Sequence, residues 1–205
     1  MKQNNYLEDI RQIRSLMEKS SKFLSLSGIS GVIAGIVALT GTWIAARFLF
    51  DQDSFSFVPS SSTEPTNMLG LIGLGLSMFV LALAAAVWLA NRKGRKKGLP
   101  IWNVQIREML LSLFIPLGAG GLLMLFFVVK GHLAMVLPLS LIFYGLGLVN
   151  ASKFTFTDLH TLGLLQVLLG LGTLIFPSYA LWIWALGFGI LHILYGIIMH
   201  KKYGS

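Results

Sequence analysis

Three polar side chains interrupt otherwise apolar sequence: Gln166, His192 and Tyr195. Gln166 and His192 each fall seven residues from the end of an apolar stretch, which at 1.5 Å per residue puts both about 10 Å inside a spanning helix. An ionisable group at that depth is costly, and function is the default hypothesis for it. A histidine can nevertheless stay neutral, donating from one ring nitrogen and accepting at the other. A structural hydrogen bond to Gln166 or Tyr195 is therefore preferred over proton relay. These three residues form the candidate polar site within the membrane.

A second chemistry-bearing feature is the basic run Arg92, Lys93, Arg95, Lys96 and Lys97. Such a run is attracted to anionic lipid headgroups by about 1 kcal/mol per residue near the surface. It also orients neighbouring spans without any dedicated ligand. The other ingredients of catalysis are scattered. With no cysteine there is no thiol nucleophile or thiolate metal site. His132, His160, His192 and His200 are spread over separate turns and helix ends, without metal-ligand grouping. No carboxylate lies deep in an apolar stretch, and no Ser-His-Asp set or carboxylate pair is apparent. The glycine runs complete neither a Walker sequence nor a dinucleotide fingerprint. The expectation is a protein that is not an enzyme and that has no catalytic residues, metal or cofactor.

The elements that position these groups follow from composition. Of 205 residues, 55% are hydrophobic and only 12% charged, and the mean hydropathy is +0.76. Roughly 20 mainly apolar residues cross a bilayer as a helix. The sequence supplies six such stretches, at about 24–48, 68–90, 108–129, 133–149, 159–176 and 179–199. Lys130-Gly131-His132 and Phe176-Pro177-Ser178-Tyr179 read as tight turns between antiparallel helices. The fold class is an all-α membrane protein: a membrane domain over 24–199, an amphipathic segment over 1–23 and a short tail over 200–205.

Charge then orients the spans. Alternating them places fourteen of the sixteen lysines and arginines on one side, leaving only Arg47 and Lys130 on the other. The positive-inside rule assigns the basic side, and with it both termini, to the cytoplasm. Trp43, Tyr179, Trp182 and Trp184 fall near the outer interface, and Trp88, Trp102 and Tyr203 near the inner one. A pI near 9.9 is thus explained by topology. Nucleic acid is not an expected partner, because no recognition motif accompanies the charge.

Ahead of the first span, Tyr6, Leu7, Ile10, Ile13 and Met17 recur at helical spacing among charged residues. They predict a cytoplasmic amphipathic helix lying on the membrane surface, with a partner-binding or dimerising helix as the alternative. Ser27, Gly31 and Gly35, spaced by four, mark a helix-packing seam. Pro116 is expected to free the Ser112 carbonyl and bend the third span. Beside that bend, Gly118 is expected to form a packing notch for Tyr144; a cavity there is the competing reading. Phe143-Tyr144-Gly145 beside Leu194-Tyr195-Gly196 hints at duplication of a two-helix unit.

The segments Tyr6-Leu7-Glu8-Asp9-Ile10-Arg11 and Phe23-Leu24-Ser25-Leu26-Ser27-Gly28 resemble the opening of an uncharacterised family of small six-span bacterial inner-membrane proteins. The resemblance continues in Asn150-Ala151-Ser152-Lys153 and in Trp184-Ala185-Leu186-Gly187-Phe188-Gly189. It implies residence in the bacterial inner membrane and brings no activity or ligand. The expectation is a non-enzymatic multi-pass protein acting through protein contacts at its cytoplasmic face. Its expected partners are anionic membrane lipids and either another protein or a second copy of itself. The alternative is a small transporter or channel with a pathway near Pro116 and His192.

Overall fold

A computed structural model describes residues 28–49, 65–96 and 104–203. The expected amphipathic helix over 1–23, Lys97, Trp102 and the last two residues of the tail lie outside these. Every element among the described residues is helical. The helices are α1 (Gly28–Leu49), α2 (Pro65–Lys96), α3 (Val104–Val129), α4 (Val136–Ala151) and α5 (Asp158–Ile175). A sixth run follows, made of α6 (Ala180–Trp184), a π-helical segment (Ala185–Leu191) and α7 (His192–Tyr203). Six helices are long and apolar enough to cross a membrane.

The turns are built from local hydrogen bonds. At the end of α3, His132 N–H donates to the Phe127 carbonyl at 2.8 Å and Gly131 N–H to that of Val128 at 3.0 Å. This is the Schellman pattern, and its pivotal residue is Gly131, whose φ of +79° a side chain would make strained. Pro177 opens the other turn, where a short 3₁₀ segment over Pro177–Tyr179 leads directly into α6.

The helices pack in a row rather than a closed ring. α1 lies between α2 and the sixth run, which packs on α5 and α4, and α4 packs in turn on α3. No residue in the apolar stretch of α2 is buried, and hardly any in that of α3, whereas a third of those in α5 and the sixth run are. The centre of the protein is therefore α1, α4, α5 and the sixth run. The α2 and α3 helices cover its edges and present their remaining faces outward.

Glycines set how closely the central helices approach. A methyl group on Gly145 would lie 2.6 Å from the Gly163 carbonyl oxygen, and one on Gly163 would lie 2.7 Å from that of Gly145. α4 and α5 thus meet backbone to backbone. α1 and α7 do the same, since a methyl on Gly196 would lie 2.7 Å from both the Gly28 oxygen and the Val32 nitrogen. Gly31 and Gly35 continue that seam against α7 and the π segment. In hydrocarbon, where burying apolar surface gives no advantage over lipid, such close approach is a main source of association.

The Pro116 expectation divides in two. Asn150 on α4 donates its side-chain N–H to the Ser112 carbonyl at 3.2 Å, so the oxygen that Pro116 frees is satisfied by the neighbouring helix. The notch is elsewhere than expected, because Gly118 has open space beside it and Gly120 receives Phe143. Tyr144 follows Phe143 by one residue, about 100° around the helix, and its hydroxyl is directed to His192. Trp184 turns its ring nitrogen toward α4 and donates to the Ser140 hydroxyl at 3.0 Å.

Candidate functional site

The described polar side chains meet where α4, α5 and the sixth run converge. Gln166 is fully buried and His192 nearly so. The π segment prepares the site by displacing the register of the run, so that the carbonyl of Gly187 is presented to side chains. His192 Nδ1 approaches that oxygen at 3.0 Å, and Gln166 Nε2 donates to it at 2.8 Å. Because a carbonyl only accepts, Nδ1 must carry the imidazole hydrogen. Nε2 is then the acceptor, and the Tyr144 hydroxyl donates to it at 2.8 Å. The remaining 3.5 Å approach, between Gln166 Nε2 and His192 Nδ1, brings two donors together and is not a bond in this tautomer.

Gly187 is required by this arrangement. A methyl group there would lie 2.7 Å from both Gln166 Oε1 and a Leu141 methyl. Gln166 Oε1 itself lacks a hydrogen-bond partner. It occupies the space that a side chain at position 187 would take. Aromatic rings close the other side: Trp184, Phe188 and His192 follow one another along the sixth run, with centroids 4.7 and 5.7 Å apart. Tyr144 packs at 5.0 Å from Phe188. The imidazole is thus held at both nitrogens and stacked on one face.

Of the three residues that sequence reasoning placed here, the structure joins Gln166 and His192 around one carbonyl. Tyr195 is directed elsewhere, packing half-buried against the apolar cluster of Leu148, Phe156, Leu159, Leu162 and Met199. Tyr144 takes the role considered for it. Part of the signal was available, because Tyr144 lies five residues before the end of the fourth apolar stretch at 149 and His192 seven before the end of the sixth at 199, a difference in depth of about 3 Å. The Gly187 carbonyl carried no such signal, since a π segment has no simple residue signature.

At the end of the bundle that carries the basic residues, polar groups are paired locally. Asp158 accepts from Lys202 at 3.2 Å and from the Tyr203 hydroxyl at 2.9 Å. Lys93 on α2 donates to the Tyr203 carbonyl at 3.3 Å, tying the ends of α2 and α7. Arg92 and Arg95 are exposed on α2, while the side chains of Lys96 and Lys97 lie outside the described set. At the opposite end, a crevice of about 190 Å³ is lined by Pro138, Thr173, Pro177 and Ala180 among others. Its walls are chiefly apolar, and the Thr173 hydroxyl is already bonded to the Gly170 carbonyl at 2.6 Å.

Among the described residues, no three histidines or carboxylates group as metal ligands. Chemically, the buried cluster can hold three helices in one register, and a proton taken up at His192 Nε2 would reverse the direction of its bond with Tyr144. No protein-family model, curated protein or solved structure matches the chain.

Proposed function

We propose that this is a non-enzymatic integral membrane protein that acts through protein contacts at its basic end. In this reading it resides in a bacterial inner membrane, as the resemblance of its opening segments implies, with both termini in the cytoplasm, as the distribution of lysine and arginine implies. The observation that carries it is the occupancy of His192. Both ring nitrogens are bonded within the protein, at 2.8 and 3.0 Å, so the most reactive interior group is spent on helix registration. What remains for recognition is the side to which the proposed topology assigns fourteen basic and five acidic residues, a net charge of +9.

Two measurements test the reading. Cysteines placed singly at Ser62 and Ser205 in this cysteine-free chain should label from opposite sides of the membrane, and labelling from one side overturns the topology. For function, a protein retained in fixed ratio through mild purification should be lost when Leu7→Glu is combined with Ile10→Glu. Proton or solute flux in vesicles that disappears in a folded His192→Leu variant would replace the scaffold reading with transport along a Pro116 and His192 pathway.

A further inference from the structure

We propose that the outward face of the α2 carboxy-terminal end is a binding site for an anionic phospholipid headgroup, formed by Arg92 and Arg95 with Trp88 as its apolar floor. Three observations lead there. The first is exposure: Trp88 is 61% and Val87 50% accessible, and α2 packs on the other spans through α1. The face bearing Trp88 therefore looks away from the bundle, into lipid.

The second is spacing. Positions 88, 92 and 95 stand four and then three apart and share one helix face. The Arg92 guanidinium lies over the Trp88 ring at 5.6 Å from its centroid. An indole at the interface beside a guanidinium offers an apolar surface for the glycerol region and a fork of donors for a phosphate. Lys93 points elsewhere, to the Tyr203 carbonyl, which separates its structural role from that of its neighbours.

The third is the lack of counter-charge on these arginines among the described residues. The only carboxylates among the described residues are Glu108 and Asp158, and they pair with Arg107 at 3.6 Å and Lys202 at 3.2 Å. No ion pair among the described residues engages Arg92 or Arg95. Among the described residues at that end, eight lysines and arginines stand against these two carboxylates, which leaves Arg92 and Arg95 to an anion supplied by the surroundings. Their position beside an exposed tryptophan selects a membrane lipid over a soluble anion.

The experiment uses the full chain in neutral detergent, titrated with phosphatidylglycerol or phosphatidylcholine and read by native mass spectrometry. Wild type should hold phosphatidylglycerol preferentially. Arg92→Gln with Arg95→Gln should weaken that binding on the order of tenfold, with Trp88→Leu giving a smaller loss. Lys201→Gln with Lys202→Gln removes the same charge at the tail and should change it little. Monodispersity by gel filtration establishes that each variant is folded, and Arg92→Lys with Arg95→Lys provides a second, milder variant that should bind at an intermediate level. Equal affinity for the two lipids overturns the proposal, as does equal loss in the two Gln pairs, which would indicate diffuse attraction. Competition by millimolar inorganic phosphate as effective as by the lipid would reassign the site to a free anion.

Discussion

Two interfaces in this protein use the same packing in different settings. Where α4 meets α5, Gly145 faces Gly163 and Val167 while Gly163 faces Val149; further along, Gly170 faces Ile142. Where α1 meets the sixth run, Gly196 faces Gly28 and Val32, Gly28 faces His200, and Gly35 faces Ile193. Even the fine geometry repeats, since a methyl on Gly170 or on Gly35 would lie 2.6 Å from an isoleucine side-chain carbon and 3.0 Å from that residue's nitrogen. Yet α4 and α5 are consecutive, joined by residues 152–157, whereas α1 and α7 are the first and last described helices. The approach is therefore set by a glycine followed four residues later by a valine or its counterpart, and not by the connection. His200 in the valine position distinguishes the second interface, as does the neighbouring π segment, where Leu39 packs on Gly189.

Enlarging the glycines is the most severe way to break this equivalence. Gly145→Val should cost about 3 kcal/mol or more, because its neighbours are backbone atoms at 2.6 and 2.8 Å that cannot turn aside. Gly28→Val should cost less, since Gly28 lies at the beginning of α1 and that end can tilt away. Gly73→Val, with nothing within 4 Å, should be nearly neutral and serves as the reference. Thermal unfolding in detergent ranks the three. Equal effects at Gly145 and Gly73 would mean that the close approach does not hold the bundle together.

These interfaces also show what the sequence made legible. Length and hydropathy located six helices, because spanning a bilayer imposes a length that few other constraints can mimic. The Ser27, Gly31 and Gly35 seam was readable because small residues repeat along one helix face, and the structure seats Gly31 and Gly35 on the sixth run. Which helix covers which was not readable. The α1 seam could have faced any neighbour, and Tyr144 could have turned toward Gly118 or, as it does, toward His192. A helix period fixes relative faces within one helix and leaves rotation between helices to packing. The Gly187 carbonyl is a backbone group exposed by an irregular segment, so residue types alone could not announce it.

The polar cluster sharpens the comparison, because it borders the sixth run's contact with α4 and α5 and not its contact with α1. His192→Leu removes the bonds to Tyr144 and Gly187 together and should cost about 1 to 2 kcal/mol. Tyr144→Phe removes one and should cost about 1 kcal/mol. His192→Gln should retain most of the stability, because an amide can still donate and accept. If His192→Leu and His192→Gln unfold at the same temperature as wild type, the cluster does not register the helices.

The smallest effect concerns the edge helix α3, to which α4 contributes a polar tie at the proline. Pro116 cannot donate an N–H to the Ser112 carbonyl, and Asn150 supplies the replacement from α4 at 3.2 Å. Interhelical hydrogen bonds in membranes average about 0.6 kcal/mol, so Asn150→Leu alone should cost about that much. The informative quantity is the coupling. In a Pro116→Ala background the helix can make its own bond to Ser112, the Asn150 side chain becomes redundant, and the cost of Asn150→Leu should fall toward zero. A cycle of four proteins, each unfolded in the same detergent, measures this directly. An unchanged cost in both backgrounds would show that Asn150 acts through Lys153, whose ammonium it also accepts at 3.2 Å. The edge would then be held by packing alone, with Phe143 against Gly120 as its principal contact.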